Sequence, residues 1–305
     1  VGDNDGYQDN QHDWDGGVGG ITVGTNSTST DVIIRNNLFY DNNSAIQMHE
    51  RWKIYNNTIL GNNRDNTGSN SRYSVNGGPL FVGIMGKYSA DGSSIKNNII
   101  AGHNHAEICL NASSVNVDID HNLYANDNTA YFVNFSGKGD WSKLSFDKWK
   151  STLSNKNNIS GSDENSTVDS PNFDSNLSLK PTGNIEKELI ELSSSSAAID
   201  KGGFLTTTTS SGSGNIIYVK DAGYFSDGFD ATDGDTIRVG SNDAVQISSV
   251  DYDKDMIVIN SKISWDKGDG VALDYEGDSP DIGAAEYINT TIPSPSLRIV
   301  VTNNE

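Results

Sequence analysis

Ile34-Arg35-Asn36-Asn37-Leu38-Phe39 returns as Ile54-Tyr55-Asn56-Asn57-Thr58-Ile59, then as Ile95-Lys96-Asn97-Asn98-Ile99-Ile100 and as Ile119-Asp120-His121-Asn122-Leu123-Tyr124. The blocks follow one another after 20, 41 and 24 residues. Self-similarity at such a period marks a solenoid, in which each repeat covers the apolar face of the next. The long interval holds Gly61 to Gly78, rich in Gly, Asn and Ser, which reads as a loop bulging from one repeat.

Between these blocks lies a second set of short runs: Gly20-Ile21-Thr22-Val23, Ala45-Ile46-Gln47-Met48-His49, Pro79-Leu80-Phe81-Val82-Gly83-Ile84 and Glu107-Ile108-Cys109-Leu110-Asn111. Each alternates apolar with small or polar residues, as strands do. Two or three short strands per repeat, with Asn at the bends, predict a parallel β-helix. Asn tolerates the left-handed backbone conformation, and its amide can bond the same residue one turn away. Asn36, Asn56 and Asn97 are therefore assigned structural roles. Leucine-rich repeats are excluded, because neither their Leu spacing nor their helical segments occur.

After residue 125 the pattern changes to Phe146-Asp147-Lys148-Trp149, then Asn165-Ser166-Thr167-Val168-Asp169-Ser170-Pro171-Asn172-Phe173, then Ser196-Ala197-Ala198-Ile199-Asp200-Lys201-Gly202, and finally Asp281-Ile282-Gly283-Ala284-Ala285-Glu286-Tyr287. This succession resembles the closing segment of secreted bacterial and archaeal right-handed β-helix proteins of the pectate-lyase-like superfamily. Ala197 stands where those proteins usually have Pro. The resemblance covers about residues 20 to 287. It implies the fold and, more loosely, work on polysaccharides; the Ile-Asp-x-Gly and Asp-Ile-Gly-Ala segments it treats as structural. Residue chemistry agrees, since Ile beside Asp and Gly at a tight bend is turn chemistry.

Between the two closing segments, Thr206 to Gly214 reads as a Thr/Ser/Gly linker. It leads to five strand-like runs, at 216–219, 236–239, 244–250, 256–259 and 271–275. The expected architecture is thus all-β: a right-handed parallel β-helix with a small inserted β-barrel or sandwich module near the C-terminus. Its parts are β-helix coils and closing segment over 1–205, the module over 206–278, a return to the helix over 279–290, and a linker or tail over 291–305. Val1 in mid-pattern and the Pro-containing tail at Ile292 to Ser296 suggest a piece of a larger parent protein.

A formal charge of -20 repels phosphate backbones and anionic bilayers, so nucleic acid is not an expected partner. No apolar run reaches the roughly 20 residues of a membrane span. Cys109 is the only cysteine, which excludes an intramolecular disulfide and a thiolate cluster, and its place is in the stack. Sequons such as those at Asn26, Asn111 and Asn165 are no more than an Asn- and Ser-rich chain produces by chance.

Stacked strands lie about 4.8 Å apart. Retaining glycosidases hold two carboxyl groups about 5 to 5.5 Å apart and inverting ones about 6.5 to 9.5 Å, so neighbouring turns can supply either pair. Gln11-His12-Asp13-Trp14-Asp15 precedes one strand and Gln47-Met48-His49-Glu50-Arg51-Trp52 contains the next. Asp13, Asp15, His49, Glu50 and Arg51 are the catalytic candidates. Trp14 and Trp52 are candidate sugar platforms, with Gln47 and Lys53 beside them. His103, His105 and Glu107 form a second polar group that could contact substrate or a metal. A lyase would need a base and a cation beside a uronate carboxylate, for which Arg51, Lys53, Arg64 and Lys87 are the shortlist. Asp3, Asp5 and Asp9 offer hard oxygen ligands for Ca²⁺; no organic cofactor is expected. Asp251 to Asp255 also looks like a calcium loop but is better explained as a hairpin turn. The functional expectation is an extracellular or cell-surface enzyme, a glycoside hydrolase or uronate-polysaccharide lyase. The alternative is a non-catalytic adhesion or glycan-binding protein.

Overall fold

The computed structural model describes residues 19–22, 31–40, 42, 44–61, 74–75, 78–79, 82–86, 90–103, 106–111, 116–125, 132–136, 140–154, 163–179, 181 and 187–288. These are mostly strands, with one α-helix among the described residues. In chain order, β1 (Gly19–Thr22) precedes β2 (Ile33–Arg35), β3 (Leu38–Tyr40) and β4 (Ser44–Gln47). Next come β5 (Lys53–Tyr55), β6 (Thr58–Leu60), the small hairpin β7 (Ser74–Val75) and β8 (Gly78–Pro79), and β9 (Val82–Gly86). Then follow β10 (Ser94–Lys96), β11 (Ile99–Ala101), β12 (Ala106–Asn111), β13 (Asp118–Asp120), β14 (Leu123–Ala125), β15 (Phe132–Ser136) and β16 (Asp140–Leu144). Helix α1 (Phe146–Ser154) and β17 (Thr167–Val168) complete this half.

These strands form three sheets: β13-β10-β5-β2, β17-β14-β11-β6-β3 and β1-β4-β9-β12-β15-β16. All pairings are parallel except β15 with β16. The chain visits the three sheets in fixed rotation, and one pass is called a rung below. Register stacks like on like. Ile34, Ile54, Ile95 and Ile119 form one column, Phe39, Ile59, Ile100 and Tyr124 a second, and Ile46, Ile84 and Ile108 a third. All belong to one buried core. Each such side chain contributes roughly 1.5–3 kcal/mol on burial.

The Asn-Asn bend divides its labour between its two residues. Asn36, Asn56, Asn97 and His121 take the left-handed conformation, with φ of 54°, 51°, 53° and 53°. The following residue, not the first as expected, builds the amide ladder. Asn57 Oδ1 accepts the Asn37 N–H at 3.1 Å, Asn98 Oδ1 the Asn57 N–H at 3.1 Å, and Asn122 Oδ1 the Asn98 N–H at 3.0 Å. Ser166 Oγ ends the run by accepting the Asn122 N–H at 2.7 Å. The amide nitrogens of Asn57, Asn98 and Asn122 donate to the carbonyls of Ile34, Ile54 and Ile95. Buried polar groups need such partners, and the ladder supplies them.

The Phe146-x-x-Trp149 stretch, read from sequence as part of the closing pattern, is helical. Ser145 caps it, with its carbonyl accepting the Trp149 N–H at 2.8 Å, and Trp149 and Leu153, four residues apart, enter the core. Sheet β17-β14-β11-β6-β3 is covered on its outer face by later chain: Phe173, Ile190, Leu192, Ala198 and Ile282 pack against Tyr40, Leu60, Ile99, Ala101, Leu123 and Ala125. The two closing segments clasp each other there. Gly202 donates to the Pro280 carbonyl at 2.7 Å, Asp200 N–H to Asp281 Oδ1 at 2.7 Å, and Ile282 to the Ala198 carbonyl at 3.0 Å. Gly283, at φ 114°, then donates to Asn97 O at 2.9 Å. A Cβ there would stand 2.7 Å from Ile99 Cδ1, so only glycine fits.

From between the clasped segments emerges a second sheet of six strands: β18 (Thr206–Thr207), β19 (Gly212–Tyr218), β20 (Thr236–Val239), β21 (Val245–Asp251), β22 (Met256–Trp265) and β23 (Gly270–Leu273). Its order is β18-β23-β20-β21-β22-β19, antiparallel throughout, and the bridge Thr208–Val219 joins the two edges. The stretch 206–214, read as a linker, therefore supplies β18 and the start of β19. Asp251 to Met256 is a hairpin turn between β21 and β22.

This module sits on sheet β13-β10-β5-β2. Arg35 gives two bonds to Asp235, at 2.7 and 2.5 Å, Lys53 pairs with Asp221, and the Tyr55 hydroxyl donates to the Tyr224 carbonyl. No helix among the described residues is long and apolar enough to cross a membrane.

Candidate catalytic corner

The corner between β4 and β5 is built by the backbone. Asp31, Arg51, Gly92 and Asn116, at φ of 62°, 59°, 69° and 55°, form a column of left-handed residues on successive rungs. The alignment follows from Arg51 N–H donating to Asp91 O at 2.8 Å, Lys53 N–H to Val32 O, Ser94 N–H to Trp52 O and Asp118 N–H to Ser93 O. In parallel pairing each N–H meets the residue before its partner, so Arg51 is level with Gly92, and Glu50 is level with Asp91. Both acids are partly exposed. They stand one strand spacing apart, about 4.8 Å at the backbone. Ser93 locks the two rungs together here, its hydroxyl donating to His49 O at 2.9 Å and accepting the Trp52 N–H at 3.0 Å. Gln47, His49 and Glu50 thus share a partly exposed edge with Asp91.

Asp91 went unnoticed in the sequence because the Gly61 to Gly78 insertion separates it from Glu50. The signal was there: aligning the Asn-Asn blocks of residues 56–57 and 97–98 puts position 50 opposite position 91.

Other members of the expected group have different work. Trp52 is 1% exposed and lies in the core, so it is not a sugar platform. Arg51 is exposed and gives two bonds to Asp31, at 2.8 and 2.9 Å, which hold its charge and keep its pKa above the usual arginine value. Lys53 is tied to Asp221 and lies over the Tyr224 ring. His103 and Glu107 form a fully buried pair and line no groove. A buried ring or ion pair is inaccessible to a polymer. Asp3, Asp5, Asp9, Asp13, Trp14, Asp15, Arg64, Lys87 and His105 lie outside the described residues. The chain enters β1 at Gly19 opposite Ser44, whereas Glu50 follows the Gln47 end of β4, so the entry of β1 and Glu50 lie at opposite ends of these paired strands.

Another carboxylate, Asp163, is fully buried where α1 closes the stack. It accepts from Tyr124 Oη at 2.8 Å, Trp149 Nε1 at 2.9 Å and Ser166 Oγ. Burial pushes its pKa up to about 6 despite these bonds. Its partners and depth make it a tie between α1 and the last rungs. Among the described residues, no three His, Cys, Asp or Glu side chains gather as a metal site.

No family model, curated protein or solved structure matches the chain.

Proposed function

We propose that the chain is a right-handed parallel β-helix protein, similar to the pectate-lyase-like superfamily, that hydrolyses a polysaccharide outside the cell or at its surface. Glu50 and Asp91 are its acid pair. The observation that carries this reading is their level placement on adjacent rungs. That spacing suits a retaining glycosidase, whose carboxyl groups lie about 5 to 5.5 Å apart. One acts as nucleophile on the anomeric carbon. The other protonates the leaving oxygen and then activates water. His49 and Gln47 flank them as hydrogen-bonding groups for sugar hydroxyls.

Hydrolysis is favoured over elimination by the state of Arg51 and Lys53, the two described residues of that basic shortlist. A lyase must neutralise a uronate carboxylate with a cation. Arg51 and Lys53 are instead engaged by Asp31 and Asp221. A rung stack also presents equivalent positions at a regular rise, which suits an extended polymer.

Glu50→Gln and Asp91→Asn test the assignment on a polysaccharide that the wild-type chain cleaves. Each is expected to lower kcat by at least about 100-fold with unchanged thermal stability. Wild-type turnover in both would sink the pair. Glycan binding without turnover by the wild-type chain would favour the adhesion reading instead.

A further inference from the structure

The module carries an aromatic surface that the catalytic corner does not use. Phe229 is 71% exposed and Tyr252 41%. Their rings lie within 24° of parallel, with centroids 6.5 Å apart. Phe229 lies in a run of three left-handed residues, Gly228, Phe229 and Asp230, at φ of 84°, 50° and 57°. A bulky side chain in that region is an outlier, and strain of this kind collects at binding sites. The surroundings hold it in place. Asp227 Oδ1 accepts the Phe229 N–H at 3.1 Å and Oδ2 the Val250 N–H at 3.2 Å, which ties the loop to the β21–β22 hairpin. A Cβ on Gly228 would fall 2.0 Å from the Thr232 carbonyl oxygen, so the turn admits only glycine. Tyr252 spends its hydroxyl on the Phe225 carbonyl at 3.0 Å and turns its ring outward. The fold thus keeps a stacked pair of apolar rings partly in water, at a backbone penalty.

We infer that Phe229 and Tyr252 form a binding platform for a neutral polysaccharide, a deepening that rests on the polysaccharide reading above. The exposed surface of this ring pair suits the apolar C–H face of a pyranose. Asp227, Asp230, Asp233, Asp251 and Asp253 all lie within four residues of one ring or the other along the chain, and Lys254, the cation of the hairpin turn, is paired with Asp251 at 2.6 Å. Carboxylates accept bonds from sugar hydroxyls and repel uronates. The charge of this rim therefore selects neutral chains. The platform is fixed to the β-helix body through Arg35 and Asp235, so a polymer held on it stays close to the rungs.

The experiment is affinity electrophoresis of the whole chain in gels containing a neutral β-glucan or polygalacturonate, with release of reducing ends from both polymers measured in parallel. The wild type is expected to be retarded by the β-glucan and not by polygalacturonate. Phe229→Gly removes the ring and relieves the backbone, so it should weaken retention about three- to tenfold while its Tm equals or exceeds that of the wild type. Val168→Ala, at another exposed apolar residue, should migrate as wild type. Undiminished retention of Phe229→Gly, equal retardation by polygalacturonate, or no retardation in either gel would each overturn the platform. Cleavage without retention would overturn the platform and leave the hydrolytic reading intact. Retention lost in Phe229→Gly, with no cleavage by any variant, would support the platform and remove the hydrolytic reading.

Discussion

Asn98 lends its side-chain oxygen to the backbone N–H of Asn57, 3.1 Å away on the neighbouring rung, and its amide nitrogen to the carbonyl of Ile54 at 3.0 Å. Both asparagines are fully buried. Asn98→Ala would leave two backbone groups without these partners, and a buried unsatisfied group costs about 1–3 kcal/mol. The expected loss is about 2–4 kcal/mol in urea denaturation. Asn37, partly exposed at the other end of the ladder, should cost under about 1 kcal/mol when changed to Ala, because water can replace its bonds. Equal losses at the two positions would mean that the ladder does not hold the rungs.

The Arg35–Asp235 pair makes a second test, of how firmly the module is seated. Its side chains are 22% and 14% exposed, and Asp235 also accepts the Ser226 N–H at 2.8 Å. Removing one partner strands the other charge, so Arg35→Ala is expected to cost about 2–4 kcal/mol. The double variant Arg35→Met with Asp235→Leu should recover most of that. Hydrogen exchange should accelerate at β2 and in the 224–236 loop of Arg35→Ala while the Asn ladder stays protected. Uniform acceleration would show that module and rungs unfold as one unit.

The pH dependence of stability follows from groups at the two closures. Asp163 has its pKa raised to about 6 and Glu286 to about 8, in both cases chiefly by burial, with the neighbouring Asp281 charge adding to the second. A carboxyl whose folded pKa lies above its unfolded value binds more protons when folded, so stability falls as pH rises through that interval. For Asp163 the window runs from about 4 to 6, and for Glu286 from about 4.5 to 8. Asp120, lowered to about 2 by bonds from His121 and Asn165 that outweigh its burial, acts in the opposite sense, losing its contribution as pH falls from about 4 to 2. Thermal unfolding should therefore be most resistant near pH 5 and weaken toward pH 9. Glu286→Gln should raise Tm at pH 8.5 and flatten the upper part of the profile. A Tm that climbs between pH 6 and 9 would contradict these assignments.

Much of the parallel architecture could be read from the sequence because its period is carried by residues with a backbone reason to be there. The Asn-Asn bends set the register, and the Ile columns follow from it. The closing segments were equally legible, since Asp200, Gly202, Asp281 and Gly283 take part in the clasp. The candidate site was less legible for a physical reason. Trp52, Lys53 and Glu107 carry chemically capable side chains, but burial and pairing decide their roles, and those depend on chain distant in sequence, such as Asp221. Asp91 became visible only once β9 and β10 were found paired with β4 and β5. The strained exposure of Phe229 had no sequence signal, because a left-handed Phe is chosen by its surroundings and not by its own preference.

The most direct measurement of the central claim is the product of the wild-type chain acting on a panel of neutral and uronate-containing polysaccharides. Reducing ends, ultraviolet absorbance and the anomeric configuration of the first product are followed together. The adjacent-rung pair Glu50 and Asp91 predicts new reducing ends from a neutral polymer, no unsaturated product, and retained configuration. Reducing ends from no polymer, inverted configuration, or an ultraviolet-absorbing product from a polyuronate would contradict it.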